Sequence, residues 1–154
     1  MGCFEFNDYD EITDGEIKVV VRERRPAKPE IGYVPAYRFD ILLPDNPEPI
    51  GQIELRVGNT RHIIMYAGHL GYRINEEYRG QRYAAKACNL IKRIALDHDL
   101  DTLWITCNPD NYASRRTCEI MGAKFVEIVY LPEDTDMYQS GERQKCRYRW
   151  NLLK

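Results

Sequence analysis

No apolar run in this chain approaches the length needed to span a bilayer, so a membrane-embedded domain is not expected. The first residues, Met1-Gly2-Cys3-Phe4-Glu5-Phe6, have neither the basic region nor the apolar core of a secretory leader. Gly2 invites a myristoylation reading, but Phe6 stands where that motif takes Ser or Thr. Runs of basic residues are missing too. With a formal net charge of −2 and dispersed Lys and Arg, the chain offers no footprint for nucleic acid or for a membrane surface. The five cysteines, Cys3, Cys88, Cys107, Cys118 and Cys146, never form C-x-x-C and are odd in number, which argues against a disulfide framework and against a zinc site. A reduced, cytoplasmic setting without metal is the expectation. There is no internal repeat and no low-complexity stretch.

What is present is a chain of 154 residues, enough for one compact domain with a full core. Residues 1–15 are acidic and poor in aliphatic side chains and read as a mobile or loosely docked arm, leaving a single domain over residues 16–154. Ile17 to Val21 is β-branched and reads as a strand, and Pro26, Pro29 and Pro35 keep the following stretch looped. Tyr37 to Leu43 and Gln52 to Val57 read as strands joined by the proline-rich turn at residues 44–49. In the second of these, Ile53, Leu55 and Val57 alternate with Gln52, Glu54 and Arg56, giving one core face and one polar face.

His69 to Ile74 is a further strand. Beyond a loop, Tyr83, Ala87, Leu90, Ile91, Ile94 and Ala95 recur at helical spacing. Thr102 to Thr106 is a short strand, and Asp110 or Asn111 caps a second helix that stops at Gly122. Phe125 to Tyr130 and Cys146 to Leu152 are two final strands, with a polar loop between them.

The stretch Tyr78-Arg79-Gly80-Gln81-Arg82-Tyr83-Ala84 joins a strand to a helix, a place where unpaired N–H groups and the positive end of the helix dipole suit an anion such as pyrophosphate. Together with Asn108-Pro109-Asp110-Asn111 and Ser114 on the second helix, this order of elements resembles the GNAT superfamily of acetyl-CoA-dependent N-acetyltransferases over roughly residues 52–152. The family signature, Gln or Arg, two residues, Gly, one residue, then Gly or Ala, falls on Arg79 to Ala84, with Arg82 where a glycine is usual. The flanking residues look like a bacterial branch of uncharacterised acetyltransferases in which this glycine is often replaced.

The resemblance implies a three-layer α+β fold, with a mixed, mostly antiparallel central sheet, a splayed pair of parallel strands and helices packed on it. It implies acetyl-CoA as cosubstrate and an amine as acceptor. Cofactor contacts then fall on Tyr72, Arg73 and Ile74 at the open strand end, on Arg79, Gly80, Gln81, Arg82, Tyr83 and Ala84 in the loop, and on Asn111 and Ser114. Arg82 is expected to adopt helical dihedrals and swing outward, either to meet phosphate or as a surface arginine. The position matching the family's proton-donating tyrosine is Cys118, a weak acid or a buried small hydrophobe. Release of a thiolate costs only about 2 kcal/mol at pH 7, so an acid is not obligatory.

For the base, His69 comes first, catalytic or structural, and Glu54 second, through water. His62 falls in a loop, and His98 reads as a C-terminal cation or solvated residue. Candidate lining aromatics are Tyr33, Tyr37, Tyr66, Tyr130 and Tyr138. The segment from Arg24 to Pro35 is too short and proline-rich to wall an acceptor site, so that side is expected to be open or completed by a second subunit of a homodimer. Two other functions fit the chain, a non-catalytic acyl-CoA-binding or sensor module and a purely structural interaction domain.

Overall fold

The computed structural model describes residues 4–153; Gly2 and Cys3, with the lipidation motif, and Lys154 lie outside the described residues. Eight strands form two antiparallel sheets. In the first, β1 (Ile12–Thr13), β2 (Lys18–Arg25), β3 (Ala36–Leu42), β4 (Gly51–Arg56) and β5 (Leu70–Ile74) lie in sequence order. In the second, β8 (Gln144–Asn151) lies between β6 (Thr102–Cys107) and β7 (Lys124–Tyr130). Between the sheets in sequence is α1 (Tyr83–Asp97). Helix α2 (Tyr112–Met121) precedes β7, and the single turn α3 (Asp136–Gln139) interrupts the loop before β8.

In place of one mixed sheet with a parallel pair, β5 and β6 fall in separate sheets with no ladder between them. They meet at one point, where the His69 N–H donates to the Trp104 carbonyl at 2.7 Å. The residue before it, Gly68, has φ +77°, and a Cβ there would lie 2.9 Å from the Trp104 oxygen and 3.2 Å from the Thr106 nitrogen. Only glycine lets the chain pass this junction.

The apolar face of α1 explains how the halves cohere. Ala87, Cys88, Ile91, Ile94 and Ala95 are buried on one side of it, against β2, β4 and β5 and against α2. Ile91 and Ile94 are fully buried, each contributing about 1.5–3 kcal/mol. In β4 the alternation holds as expected, with Ile53 and Leu55 in the core and Gln52, Glu54 and Arg56 on the other face. Asn111 caps α2, its side chain accepting from the Ser114 N–H, and Gly122 ends it in the left-handed conformation.

Three segments depart from the sequence expectation. Residues 4–13 are docked: Phe6 and Tyr9 pack edge-on against Tyr37, Phe4 lies 4.8 Å from the His98 ring, the Tyr9 hydroxyl donates to Asp97, and β1 pairs with β2. Aromatic rings anchor an arm that its scarcity of aliphatics made look loose. His98 accordingly is neither free nor solvated; its Nε2 lies 2.7 Å from the Tyr37 hydroxyl, and burial lowers its pKa. Before β5, residues Ile63–Ala67 form a π-helix, an element that hydrophobic periodicity did not announce. No helix among the described residues is long and apolar enough to cross a membrane.

Candidate functional site

The hydrogen-bond register of β4 and β5 decides which backbone groups are free. The Arg56 N–H donates to the His69 carbonyl and the Asn75 N–H to the Ile50 carbonyl, so Gly71, Arg73 and Asn75 turn their backbone groups toward β4, while His69 gives β4 its carbonyl and β6 its N–H. Leu70, Tyr72 and Ile74 therefore turn theirs outward, to the edge that faces the gap beside β6. Of the three strand residues expected at the cofactor, Tyr72 and Ile74 have this orientation, whereas Arg73 has its backbone paired with Gln52 and its side chain lining a separate cavity of 350 Å³. Leu70 joins the edge in its place. The Ile74 carbonyl is taken by Arg79, whose Nε donates to it at 2.9 Å.

The strand leads into the glycine-containing loop. Among the described residues, the consecutive N–H groups of Gly80, Gln81, Arg82, Tyr83, Ala84 and Ala85 have no backbone acceptor, the first helical bond being from the Lys86 N–H to the Arg82 carbonyl. Gly80 has φ +86° and Arg82 φ +64°, ψ +21°. Arg82 is thus left-handed, which corrects the helical dihedrals expected from sequence; it holds the backbone shape that glycine gives, at a cost of about 1–2 kcal/mol. A run of converging N–H groups at a helix start is an anion cradle.

On α2, Ser114 and Cys118 face β5. The Tyr72 hydroxyl lies 2.9 Å from Ser114 Oγ and 3.9 Å from Cys118 Sγ, so a tyrosine from the strand reaches the place where the resemblance put one on the helix. Burial pushes the Cys118 thiol up to about 12, with the Tyr72 contact opposing, and burial also pushes the Tyr72 phenol well above its usual range. Both hold their protons at neutral pH. Asn111 is exposed and spends its side-chain oxygen on the helix cap.

A cavity of 830 Å³ opens against the gap, reached by Leu70 and Gly71 from β5 and Thr106 from β6. Its walls are the 3₁₀ turn at Pro29–Ile31 with Tyr33 and Val34, the π-helix, and residues Pro132 to Met137. The stretch that seemed too short to form a wall does wall this cavity, through one tight turn closed by a Lys28–Tyr33 bridge. Tyr33 and Tyr66 line the cavity; Tyr37 is a core residue, Tyr130 is exposed and Tyr138 is outside the lining.

The two residues expected as bases are both engaged. His69 is fully buried. Its Nδ1 accepts from the Trp104 N–H at 2.9 Å, which leaves the ring proton on Nε2, 2.9 Å from Asn59 Oδ1. Burial pushes the imidazole pKa down to about 4, and no lone pair is left for a substrate. Glu54 lies at the cavity floor with both oxygens taken, Oε1 by Arg25 Nη2 at 3.0 Å and Oε2 by Arg56 Nε at 2.9 Å, with Arg38 Nε at 3.9 Å. The imidazole that lines the cavity is His62, exposed, with its ring 6.1 Å from Tyr66. Sequence reasoning left His62 in a loop and did not single out Arg25 or Arg56; the alternation of Glu54 and Arg56 on one strand face was the available signal. Among the described residues no group of three or more His, Cys, Asp or Glu side chains is arranged to hold a metal.

Solved structures of other proteins share this fold. A ribosomal-protein-S5-alanine acetyltransferase from Vibrio fischeri superposes with TM-score 0.61 at 18% identity, over 76% of this chain and 62% of that one. A protein assigned as a ribosomal-protein-serine acetyltransferase from Vibrio cholerae gives 0.57 at 20%, over 75% and 64%. The microcin C7 self-immunity acetyltransferase, solved with acetyl-CoA and AMP, gives 0.56 at 17%, over 75% and 61%. The chain thus spans less than two thirds of the length of each. No curated protein matches it in sequence. The family model for the acetyltransferase (GNAT) domain matches residues 11–124, and the chain belongs to that family.

Proposed function

We propose that this chain transfers an acetyl group from acetyl-CoA to a primary amine by direct attack within a ternary complex, in the cytoplasm. The observation that carries the reading is the continuity of three features along one strand. The N–H cradle at residues 80–85 follows the outward-facing edge of Leu70, Tyr72 and Ile74, and that edge ends at the 830 Å³ cavity. In this reading pyrophosphate rests on the cradle and the pantetheine arm pairs with the edge as an added strand. The outward N–H groups then polarise the thioester carbonyl. Ser114 and the Tyr72 hydroxyl flank the sulfur, with Cys118 behind them.

The residues divide the proton chemistry unequally. A lysine-type amine must lose a proton at a cost of roughly 4–5 kcal/mol at pH 7, an α-amine at about 1. With His69 sealed and Glu54 held between guanidinium groups, His62 is assigned to take that proton, directly or through water in the open cavity. Tyr72 donates a hydrogen bond to the departing thiolate. The occupied state of His69 and Glu54 also favours a second reading, a module that binds acyl-CoA without turning it over.

Isothermal titration with coenzyme A and acetyl-CoA, followed by thiol release across a panel of amines, tests both. Binding with turnover, slowed by His62→Ala and not by Glu54→Gln, is expected. Binding without turnover on any amine would leave the second reading, and absence of binding would remove both.

A further inference from the structure

The charge around the cavity floor is uneven. Glu54 is shared by Arg25 and Arg56, with Arg38 on its outer side, and Arg61 and Lys145 add to the lining. Lys145 is answered by Glu142, and the remaining acids of the cavity, Asp134 and Asp136, are exposed on the wall formed by residues 132–137. Positive charge therefore exceeds negative on the side nearest the strand gap.

Arg56 is the most constrained of these groups. Its Nε is spent on Glu54, and its Nη1 donates to the carbonyls of Ala67 at 3.1 Å and Gly68 at 3.0 Å. Nη2 has no acceptor among the described residues and stands over the backbone of Gly71, 3.1 Å from the point a Cβ would occupy. Gly71 separates Leu70 from Tyr72, two of the three residues whose N–H groups face the gap. A fixed guanidinium edge with free donors thus lies beside the position at which an acyl group held on that edge would be attacked. Arg25, on the other oxygen of Glu54, leaves its Nε buried without an acceptor. The guanidinium groups around Glu54 carry more donors than its carboxylate satisfies.

We propose that Arg56, seconded by Arg25, binds a carboxylate that the acceptor carries next to its amine, so that the substrates are α-amino acids. In an α-amino acid one carbon separates the two groups. A carboxylate on Arg56 Nη2 then sets the nitrogen over Gly71, in line with the strand edge, and a planar guanidinium is the group best shaped to hold it. A lysine side chain or a polyamine brings no anion close to the reacting nitrogen and leaves the Arg56 guanidinium without a partner there. This inference rests on the acetyl-transfer reading, and one assay separates the two.

Thiol release from acetyl-CoA is measured with the full chain on matched acceptors, L-phenylalanine against phenethylamine and against phenylalanine amide, and L-alanine against ethylamine. The acid is expected to exceed its partner by roughly tenfold or more in kcat/KM. Arg56→Lys is expected to remove that preference by raising KM for the acid, with coenzyme A affinity unchanged. Equal or better use of the carboxylate-free amines, or use of peptide N-termini alone, overturns the proposal and leaves acetyl transfer standing. Failure to bind coenzyme A or to release thiol with any amine removes the underlying reading and this one with it. Because Arg56 also ties down residues 67 and 68, Arg25→Gln is assayed beside it, and the wild-type comparison decides the matter if neither variant folds.

Discussion

His69 and Trp104 are joined by two hydrogen bonds of opposite sense: the His69 N–H donates to the Trp104 carbonyl, and the Trp104 N–H donates to His69 Nδ1. The side chain of one strand residue thereby takes the place of the next rung of a ladder, and the two sheets are fastened where β5 and β6 begin to part.

That fastening makes stability depend on pH. The imidazole titrates near 6.5 when unfolded and at about 4 when folded. Its contribution is fully present above pH 6.5 and is lost as pH falls through 4, a change of roughly 3 kcal/mol across the window. Urea denaturation at several pH values between 7.5 and 4 measures it. His69→Gln should flatten this part of the profile, and an undiminished slope in the variant would rule His69 out as the source.

At the loop, Arg82→Gly relieves a left-handed arginine. Net of the extra chain entropy of glycine, unfolding free energy should rise by about 0.5–1 kcal/mol. If the guanidinium meets coenzyme A phosphate, affinity should fall roughly tenfold in the same variant. Titration calorimetry and thermal melts read the two effects separately. An unchanged dissociation constant would place the side chain away from the cofactor.

Two glycines with positive φ should respond differently to alanine. At Gly68 the added methyl meets the Trp104 and Thr106 backbone, and a loss of about 3 kcal/mol is expected. At Gly80 nothing lies within 4 Å, and the cost should be about 1 kcal/mol, from the dihedral alone. Equal losses would mean that the junction relaxes without strain.

For the leaving group, Tyr72→Phe should lower kcat roughly tenfold while leaving coenzyme A affinity intact, because it removes one donated hydrogen bond. Cys118→Ala should change kcat by less than about twofold, since the thiol sits behind the phenol. The reverse ranking would return the donor role to α2.

Local chemistry was readable in advance where it depended on neighbours in sequence. The apolar stripe of α1, the Asn111 cap, the Gly122 stop and the loop opening α1 all follow from spacing within a few residues. The state of His69 depends on Asn59 and Trp104, which only the fold brings to it. The shielding of Glu54 likewise requires Arg25 from β2 and the register of β3 against β4. The choice of Leu70 over Arg73 at the open edge is a matter of hydrogen-bond parity, which alternation of side chains cannot reveal because it fixes faces and not pairing partners. The π-helix was hidden for a similar reason, since the carbonyl groups of Ile64, Tyr66 and Ala67 find their partners on distant strands.

Those partners tie one wall of the 830 Å³ cavity to the frame of the molecule. Thr106 of β6 holds the Tyr66 carbonyl, Arg147 of β8 holds that of Ile64, and Arg56 of β4 holds those of Ala67 and Gly68. Residues 63–68 are therefore a clasp across both sheets rather than a lid. The cavity cannot be widened on this side without prising the sheets apart, so its breadth is set by the turn at residues 29–34 and the stretch at residues 132–137, where length and sequence can change with the clasp left closed.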